Sequence, residues 1–586
     1  MLVTPAFGSQ SAAPLHTTYS RLGEFAPGVQ SWSPSFDASV LMPFNLLTDP
    51  FFPIVTREGS RRWATFAELP AQGGDAPVEF DWPRADFNVA ALEFAVGVTL
   101  MAFQPVKPSE WRRFWADPPG PDEVAKAIKP FAHAFALDGA GPRFMQELGG
   151  LEGEATPVEA LLIDTPGANG QKKNADLLTH RNRYPALGLP AAAMALYALQ
   201  QFAPSGGAGN RTSMRGGGPM STFVLPGGGG GSPASLWRTI IANLPADENF
   251  AYDVEDLPKI LPWLAPTRIS DKAHGERLVS EQDDDIHPLQ AFFGMPRRFA
   301  LRFAGVGRCA MTDEPGALVD AFVQKPWGVN YGVWEHPLTP YRRQKEGAEP
   351  YSVKPKSARL GYRDWTPVVV GANDGGLAWP ARNVALARGE RRVALRGDAP
   401  ASLRAAGWVM SNMEAVAYLY AEQPLHLAES EDAQRMLDRE AKRFTQAAET
   451  VVALLVHALR TALFSEGAKP ATDKTLFEQA REHFCEATEN AFHALLDERL
   501  SAPLGLGDGL SNKWLSHMRR AAFAAFQAGA PLPLDEPERA RRIAVASKHL
   551  GLALAGYGKA GRTLFEHLDL IPPEASKPVK GTRHGK

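Results

Sequence analysis

The chain has 586 residues, 44% hydrophobic and 22% charged, with 62 Lys and Arg against 65 Asp and Glu and a formal net charge of −3. That length suffices for two to four domains with real cores, and the near-neutral balance excludes a whole-protein basic footprint, so any polyanion contact must come from local patches. Two cysteines, Cys309 and Cys485, exclude a disulfide framework and a cysteine-rich zinc site and fit a reducing cytoplasm. No apolar run long enough to predict a membrane span is found, and the N-terminus lacks the basic and apolar regions of a secretory signal. The 53 Gly and 49 Pro imply many loops, the usual place for contact with a partner.

Residues 1–43 are rich in Ser, Pro, Ala and Gly without periodicity and read as a disordered extension. Order is expected from Phe44, with strands at Phe51–Val55 and Arg62–Phe66 around the turn Glu58-Gly59-Ser60. Ala90–Phe103 is apolar nearly all round, which predicts a buried helix; Pro108–Trp115 and Pro121–Ala136 predict shorter ones. Thr156-Pro157 has the chemistry of an N-cap followed by a first-turn proline and predicts a helix to Ile163. Pro190 to Pro204 brackets another, and Ser235–Asn243 a third. Gly227–Gly231 reads as a flexible linker. Residues 299–325 predict a strand hairpin closed by Lys325, 338–343 a polar turn, 352–373 short strands, and 371–376 a loop.

From Ser430 the texture changes. Ser430 is a candidate N-cap, and Leu437, Ala441, Phe444, Ala448, Val451, Leu455, Leu459 and Ala462 recur at helical spacing. Similar patterns follow near 473–499, 511–528 and 535–567, joined by short Gly/Pro connections, and predict an antiparallel four-helix bundle. The fold class expected is therefore α+β: a mixed α/β domain over 44–425, a four-helix bundle over 426–570 and a basic flexible tail over 571–586.

Within this framework the stretch from Thr165 to Pro219 is distinctive. Lys172, Lys173, His180, Arg181 and Arg183 precede one apolar helix, and Arg211 and Arg215 follow it in a glycine loop, with Asp176 alone opposing them. A glycine loop lets backbone N–H groups approach a polyanion, and the cations add charge at the same place. An ordinary surface loop has the same composition. No P-loop, H-E-x-x-H or G-x-S-x-G motif occurs, and Gly505-Leu506-Gly507-Asp508-Gly509 lies between helices, not after a strand. His483, Cys485, Glu486 and His493 read as a polar stripe of the bundle, and Asp283-Asp284-Asp285 as a solvated turn. The basic set Arg519, Arg520, Arg539, Arg541, Arg542, Lys548, Lys559 and Arg562 is partly balanced by Asp535, Glu536 and Glu538.

The segments FNLLTDPFFPIV (44–55), TPVEALLIDTPGANGQKKN (156–174), MRGGGPMSTFV (214–224), FFGMPRR (292–298), HPLTPY (336–341) and GWVMSNMEA (407–415) resemble, in order and spacing, the large subunit (CasA family) of the type I-E CRISPR Cascade complex. The resemblance implies a non-catalytic, cofactor-free subunit. It would read a protospacer-adjacent motif in double-stranded DNA through the minor groove, promote strand separation and R-loop formation, and help recruit a helicase-nuclease in antiviral defence. The implied motif-reading loop is Ser205, Gly206, Gly207, Ala208 and Gly209, flanked by Arg211 and Arg215, with Lys325 and Asn412 as further DNA contacts. Ser411, Met413 and Glu414 form the implied wedge, because an apolar side chain at a hairpin tip can unstack base pairs. The arm carrying Gly167, Asn169, Lys172, Lys173, Asn174, Arg181 and Arg183 would meet other Cascade subunits and the 5′ end of the guide RNA. Some relatives carry a cysteine cluster where this chain has only Cys309 in 299–322, so no zinc is expected. The alternative of another class is a phosphate-handling hydrolase or a nuclease using the glycine loop.

Overall fold

A computed structural model describes residues 43–105, 107–174, 178–204, 206–207, 209–229, 232–245, 248–371, 376–397, 399–411, 413–465, 475–501, 507–533 and 535–574, with backbone alone at 168, 169, 507 and 508. The expected extension before Pro43 and the tail beyond Glu574 lie outside these residues.

Three antiparallel strands, β1 (Phe52–Thr56), β2 (Arg61–Ala64) and β3 (Pro77–Phe80), pack on α1 (Ala85–Phe103). Helix α1 is long and apolar enough to cross a membrane by length and composition, yet 83% of its apolar window is buried inside this fold, so it is the core helix. Phe94 is its hub, with ring contacts to Phe51, Phe52, Phe135, Phe144, Tyr197 and Phe293 at centroid distances of 5.2–6.4 Å. Burying each such ring stabilises the fold by roughly 1.5–3 kcal/mol. Helices α2 (Pro108–Ala116) and α3 (Pro121–Ile128) follow, each with proline in its first turn. The helix expected to run to Ala136 instead ends at Ile128, and a 3-10 turn covers Ala132–Phe135.

The segment after Thr156 corrects another expectation. Ala155–Pro157 is strand β4 and Val158–Leu161 a single 3-10 turn, because Thr156 pairs with Phe322 of a long strand instead of capping a helix. Short helix α4 (Ala168–Lys172), strand β5 (Leu187–Gly188), α5 (Leu189–Phe202), β6 (Ser221–Leu225) and α6 (Leu236–Ala242) come next, and the Ser235 side chain caps α6 by accepting from Arg238 N–H. Between β6 and α6, Gly227 and Gly228 are not a free linker. A Cβ there would lie 1.8 Å from the Ala399 carbonyl and 1.9 Å from that of Ser232, so close backbone packing requires glycine.

After α7 (Leu257–Ile260) and β7 (Leu278–Val279), β8 (Arg298–Arg308) and β9 (Pro315–Lys325) form the expected hairpin. The opposite edge of β9 takes both β4 and β5, with Pro157 opposite Ala321 and Leu187 opposite Val319. The basic arm between β4 and β5 thus leaves and rejoins one strand within about 7 Å. Short strands β10 (Asn330–Tyr331), β11 (Tyr341–Arg342) and β12 (Tyr351–Ser352) lead to α8 (Tyr362–Val369), a helix where short strands were expected; its Tyr362, Trp365, Val368 and Val369 turn inward at helical spacing. Strand β13 (Ala378–Trp379), α9 (Arg382–Arg388) and α10 (Arg392–Leu395) precede the hairpin of β14 (Ser402–Ser411) and β15 (Glu414–Pro424).

Helices α11 (Glu431–Leu463), α12 (Thr475–Ser501), α13 (Gly507–Gly529), α14 (Pro537–Leu554) and α15 (Gly558–His567) form the bundle. Its expected fourth helix is two, broken at Gly556, whose φ of +96° no continuing helix tolerates. The bundle core is also continuous with Tyr362 and Trp365 of α8 and with Leu403 and Leu419 of the β14–β15 hairpin, so no separate core begins at 426. His426, at that junction, hydrogen-bonds His493 and Asp497, each at 2.9 Å; Glu486 pairs with Arg359. Of the expected polar stripe, His493 and Glu486 thus have structural partners.

Candidate nucleic-acid interface

Strand β9 positions most of the candidate residues. At its end, Lys325 is half-buried, and its Nζ lies 3.2 Å from where a Cβ on Gly153 would be. The preceding residue, Gln324, donates from Nε2 to Asn210 Oδ1 at 2.7 Å, and two residues on, Trp327 N–H donates to the Gly209 carbonyl at 2.9 Å. The end of β9 and the glycine loop, more than a hundred positions apart in sequence, are thus hydrogen-bonded together, while the Lys325 amine, one residue on from Gln324 and so on the other face of the strand, lies beside Gly153. Gly209 has φ of +82°, and a Cβ there would lie 2.6 Å from the Trp327 indole. Gly206 is close-packed too, with Asn210 Cβ 2.7 Å from its missing side chain, whereas Gly207, at φ +62°, has nothing within 4 Å. The loop therefore packs through Gly209, while Gly206 and Gly207 are both exposed and only Gly207 has open space at its Cβ position. Ser205 and Ala208 lie outside the described residues.

The two arginines of the loop behave differently from expectation. Arg215 is not a ligand-facing cation. Its guanidinium meets Glu93 of α1 at 2.6 and 3.1 Å and also donates to Ser221, Thr339 and the Gln201 carbonyl, with side-chain exposures of 1% and 0% for the two ions. Saturated and enclosed, it cannot reach a phosphate. Burial pushes the Glu93 carboxyl up while Arg215 and Ser221 pull it down. His336 stands 3.7 Å from Glu93, and burial with the nearby Arg215 charge holds it well below the ordinary imidazole range, hence neutral. Arg211 is half-buried, stacked 4.9 Å over the Trp327 ring and donating to Ser270 Oγ and O at 2.9 and 2.7 Å. It braces the platform under Gly209.

The β14–β15 hairpin supplies the wedge geometry. Strand β6 pairs only with Ser402–Ala406, so the distal half of the hairpin runs on beyond its neighbour to the Ser411–Glu414 pair. At the tip, Met413 has φ of +71° and is 57% exposed, an uncommon place for a large apolar side chain. Asn412 lies outside the described residues. Met410 packs over Gly218, 2.6 Å from its missing Cβ, and Glu414 Oε1 comes within 3.7 Å of the Gly170 Cβ position in the arm. The hairpin thus meets the Thr165–Pro219 stretch at the arm and at the tail of the loop, while Gln324 and Trp327 meet it at Asn210 and Gly209.

The arm is anchored at its base. Arg84 pairs with both Asp86 and Asp164, Thr179 Oγ1 donates to Asp164 at 2.9 Å, and Asn182 N–H donates to Glu159. Arg181 donates to the Gln171 carbonyl at 2.8 Å and to Asn174 Oδ1, closing the arm on itself. Gly167, Lys172, Lys173, Asn174, Arg181 and Arg183 are exposed; Arg183 stacks on Tyr184. Lys172, Lys173, Arg183 and Lys325 make no ion pair among the described residues, which leaves their charge for a partner. The side chain of Asn169 lies outside the described residues. Among the described residues no group of three or more His, Cys, Asp or Glu could hold a metal; Cys309 is buried beside Gly188.

Sequence reasoning missed Trp327, Ser270 and Asn210. Trp327 lies two positions from Lys325 and so carried a weak signal; Ser270 carried none.

A family described as CRISPR-associated protein Cse1 matches the chain over residues 45–525. Among solved structures, Thermus thermophilus CasA (Cse1) is similar at TM-score 0.63 and 17% identity, covering 87% of this chain and 99% of that one. Cse1 from Acidimicrobium ferrooxidans gives TM-score 0.62 and 18% identity over 91% of this chain and 100% of that one. A chain of a structure described as a CRISPR RNA-guided surveillance complex gives 0.65 and 15% over 87% and 99%. At these identities the likeness speaks for the fold.

Proposed function

The chain belongs to the family of CRISPR-associated protein Cse1, and from that premise we propose that it is the large, non-catalytic subunit of a Cascade-type RNA-guided surveillance complex. It reads a short motif in duplex DNA from the minor groove with the glycine loop and Lys325. It starts strand opening with Met413, meets guide RNA and neighbouring subunits through the 165–183 arm, and presents a surface to a helicase-nuclease. Base pairing with the guide reads the remaining sequence. The observation that supports this reading is the junction of Gly209, Asn210, Gln324 and Trp327, which joins the glycine loop to the end of the strand that carries Lys325, a lysine without an ion pair among the described residues. Close backbone approach suits a narrow groove, and a lysine there adds phosphate or base-edge contact.

In the assembled complex, Lys325→Ala should weaken binding to motif-bearing duplex about tenfold, roughly 1.4 kcal/mol, and leave motif-scrambled duplex within about twofold. Equal losses on both duplexes in a filter-binding titration would show that the lysine does not read the motif. Met413→Gly should leave initial binding near the parent level and slow strand opening severalfold, because the unstacking cost of a few kcal/mol loses its apolar offset. Permanganate footprinting follows the opened thymines; unchanged opening would remove Met413 from the wedge.

A further inference from the structure

The loop that presents Gly206, Gly207 and Gly209 is closed at its neck by a side chain with no part in the reading above. Arg297, just before β8, donates from Nη2 to the Pro204 carbonyl at 2.6 Å and from Nε to the Arg211 carbonyl at 3.2 Å. Those carbonyls are the entry to and the exit from the loop, so one guanidinium holds both sides of the neck. The planar fork of arginine can span two acceptors in this way; the single ammonium of lysine is a poor substitute. Arg297 is itself fixed from below. Its N–H donates to Gln200 Oε1 at 3.1 Å and its carbonyl accepts from Gln200 Nε2 at 2.8 Å, on the last turn of α5.

The residue is 8% exposed and has no carboxylate partner among the described residues, and burial pushes its guanidinium down to about 10. A buried cation solvated only by carbonyls is a costly device for stability alone. Here it also leaves positive charge beneath the loop, with Nη2 3.3 Å from the Gly206 Cβ position.

Resting on the function proposed above, we infer that Arg297 is the positioning residue of the motif-reading loop: by stapling Pro204 to Arg211 it holds the glycine backbone in one conformation and so sets the discrimination between duplexes with and without the motif. Pre-organisation raises affinity for the fitting ligand by removing the ordering cost at binding.

The test uses Arg297→Met and Arg297→Lys in the full chain assembled with guide RNA and partner subunits, titrated with motif-bearing and motif-scrambled duplex. Arg297→Met should lose at least tenfold on the motif-bearing duplex and less than twofold on the scrambled one. Arg297→Lys, which keeps the charge but cannot span both carbonyls, should also bind the scrambled duplex within about twofold of the parent and lack the preference. An unchanged preference in Arg297→Met, or its full recovery by lysine, would overturn the staple. Hydrogen exchange on the unassembled chain gives a second readout. The Asn210 amide, bonded to the Gly207 carbonyl at 2.8 Å, should exchange faster in both variants while β8 and β9 keep their protection; unchanged Asn210 protection refutes the inference even if assembly fails. Lys325→Ala in parallel separates the two levels. If it too leaves the preference intact, motif reading at this loop is wrong; if it alone abolishes it, only the role of Arg297 falls.

Discussion

Arg215→Met should lower the free energy of unfolding by about 3–5 kcal/mol, the cost of leaving a buried charge without its partner. Glu93 would then sit in α1 among aromatic side chains with only the Ser221 hydroxyl and a neutral His336 near it. Ser221, Thr339 and the Gln201 carbonyl would each lose a partner as well. The same guanidinium joins the tail of the glycine loop to the end of α5 and the start of β6, so its loss should loosen the loop as well as the core. Denaturant unfolding of the purified chain measures the effect. The double variant Glu93→Leu/Arg215→Met should regain much of the loss, because removing both charges removes the desolvation cost. A drop below about 1 kcal/mol in the single variant would mean that water reaches Glu93 and that the pair does not hold the loop.

Gly209→Ala should reduce binding of motif-bearing duplex at least tenfold, about 1.4 kcal/mol or more. A methyl group at 2.6 Å from the Trp327 indole cannot be accommodated without moving the ring or the loop, and φ of +82° disfavours any side chain by a further ~1–2 kcal/mol. Moving the ring breaks its stack with Arg211, and moving the loop strains the bond from the Trp327 backbone N–H to the Gly209 carbonyl. Gly207→Ala is the informative contrast. Nothing lies within 4 Å of its Cβ position, so alanine there meets no neighbour and carries only the backbone cost of φ +62°, about 1–2 kcal/mol; a loss of binding beyond that cost reports obstruction of the approaching DNA. Titrations of both variants in the assembled complex decide the matter. Parent-like binding by Gly209→Ala would show that the Trp327 platform does not set the loop.

Much of the scaffold was legible in the sequence because its signals are local. The apolar run of α1, the spacing of Leu437, Ala441, Phe444 and Ala448, and the alternation through 299–325 each specify an element from neighbouring residues alone. The errors lie where distant pairing overrode a local signal. Thr156 has good capping chemistry but is taken by Phe322 as a strand partner; Gly227 and Gly228 look like a linker until the Ala399 and Ser232 carbonyls fill the space beside them. The break at Gly556 was visible as a glycine, though not the left-handed φ that ends the helix there.

The Cse1 membership and its order of motifs were set by sequence alone, as was the clustering of cations around one apolar helix between Thr165 and Pro219. Which of those cations can meet a polyanion was decided only by the tertiary structure. Arg211, Arg215 and Arg297 are chemically identical in sequence, yet one braces an indole, one neutralises a carboxylate 122 positions away and one ties two carbonyls together, while Lys325 makes no ion pair among the described residues. The physical reason is that a side chain's charge is available to a ligand only after the fold has distributed partners to every buried group, and those partners come from far along the chain.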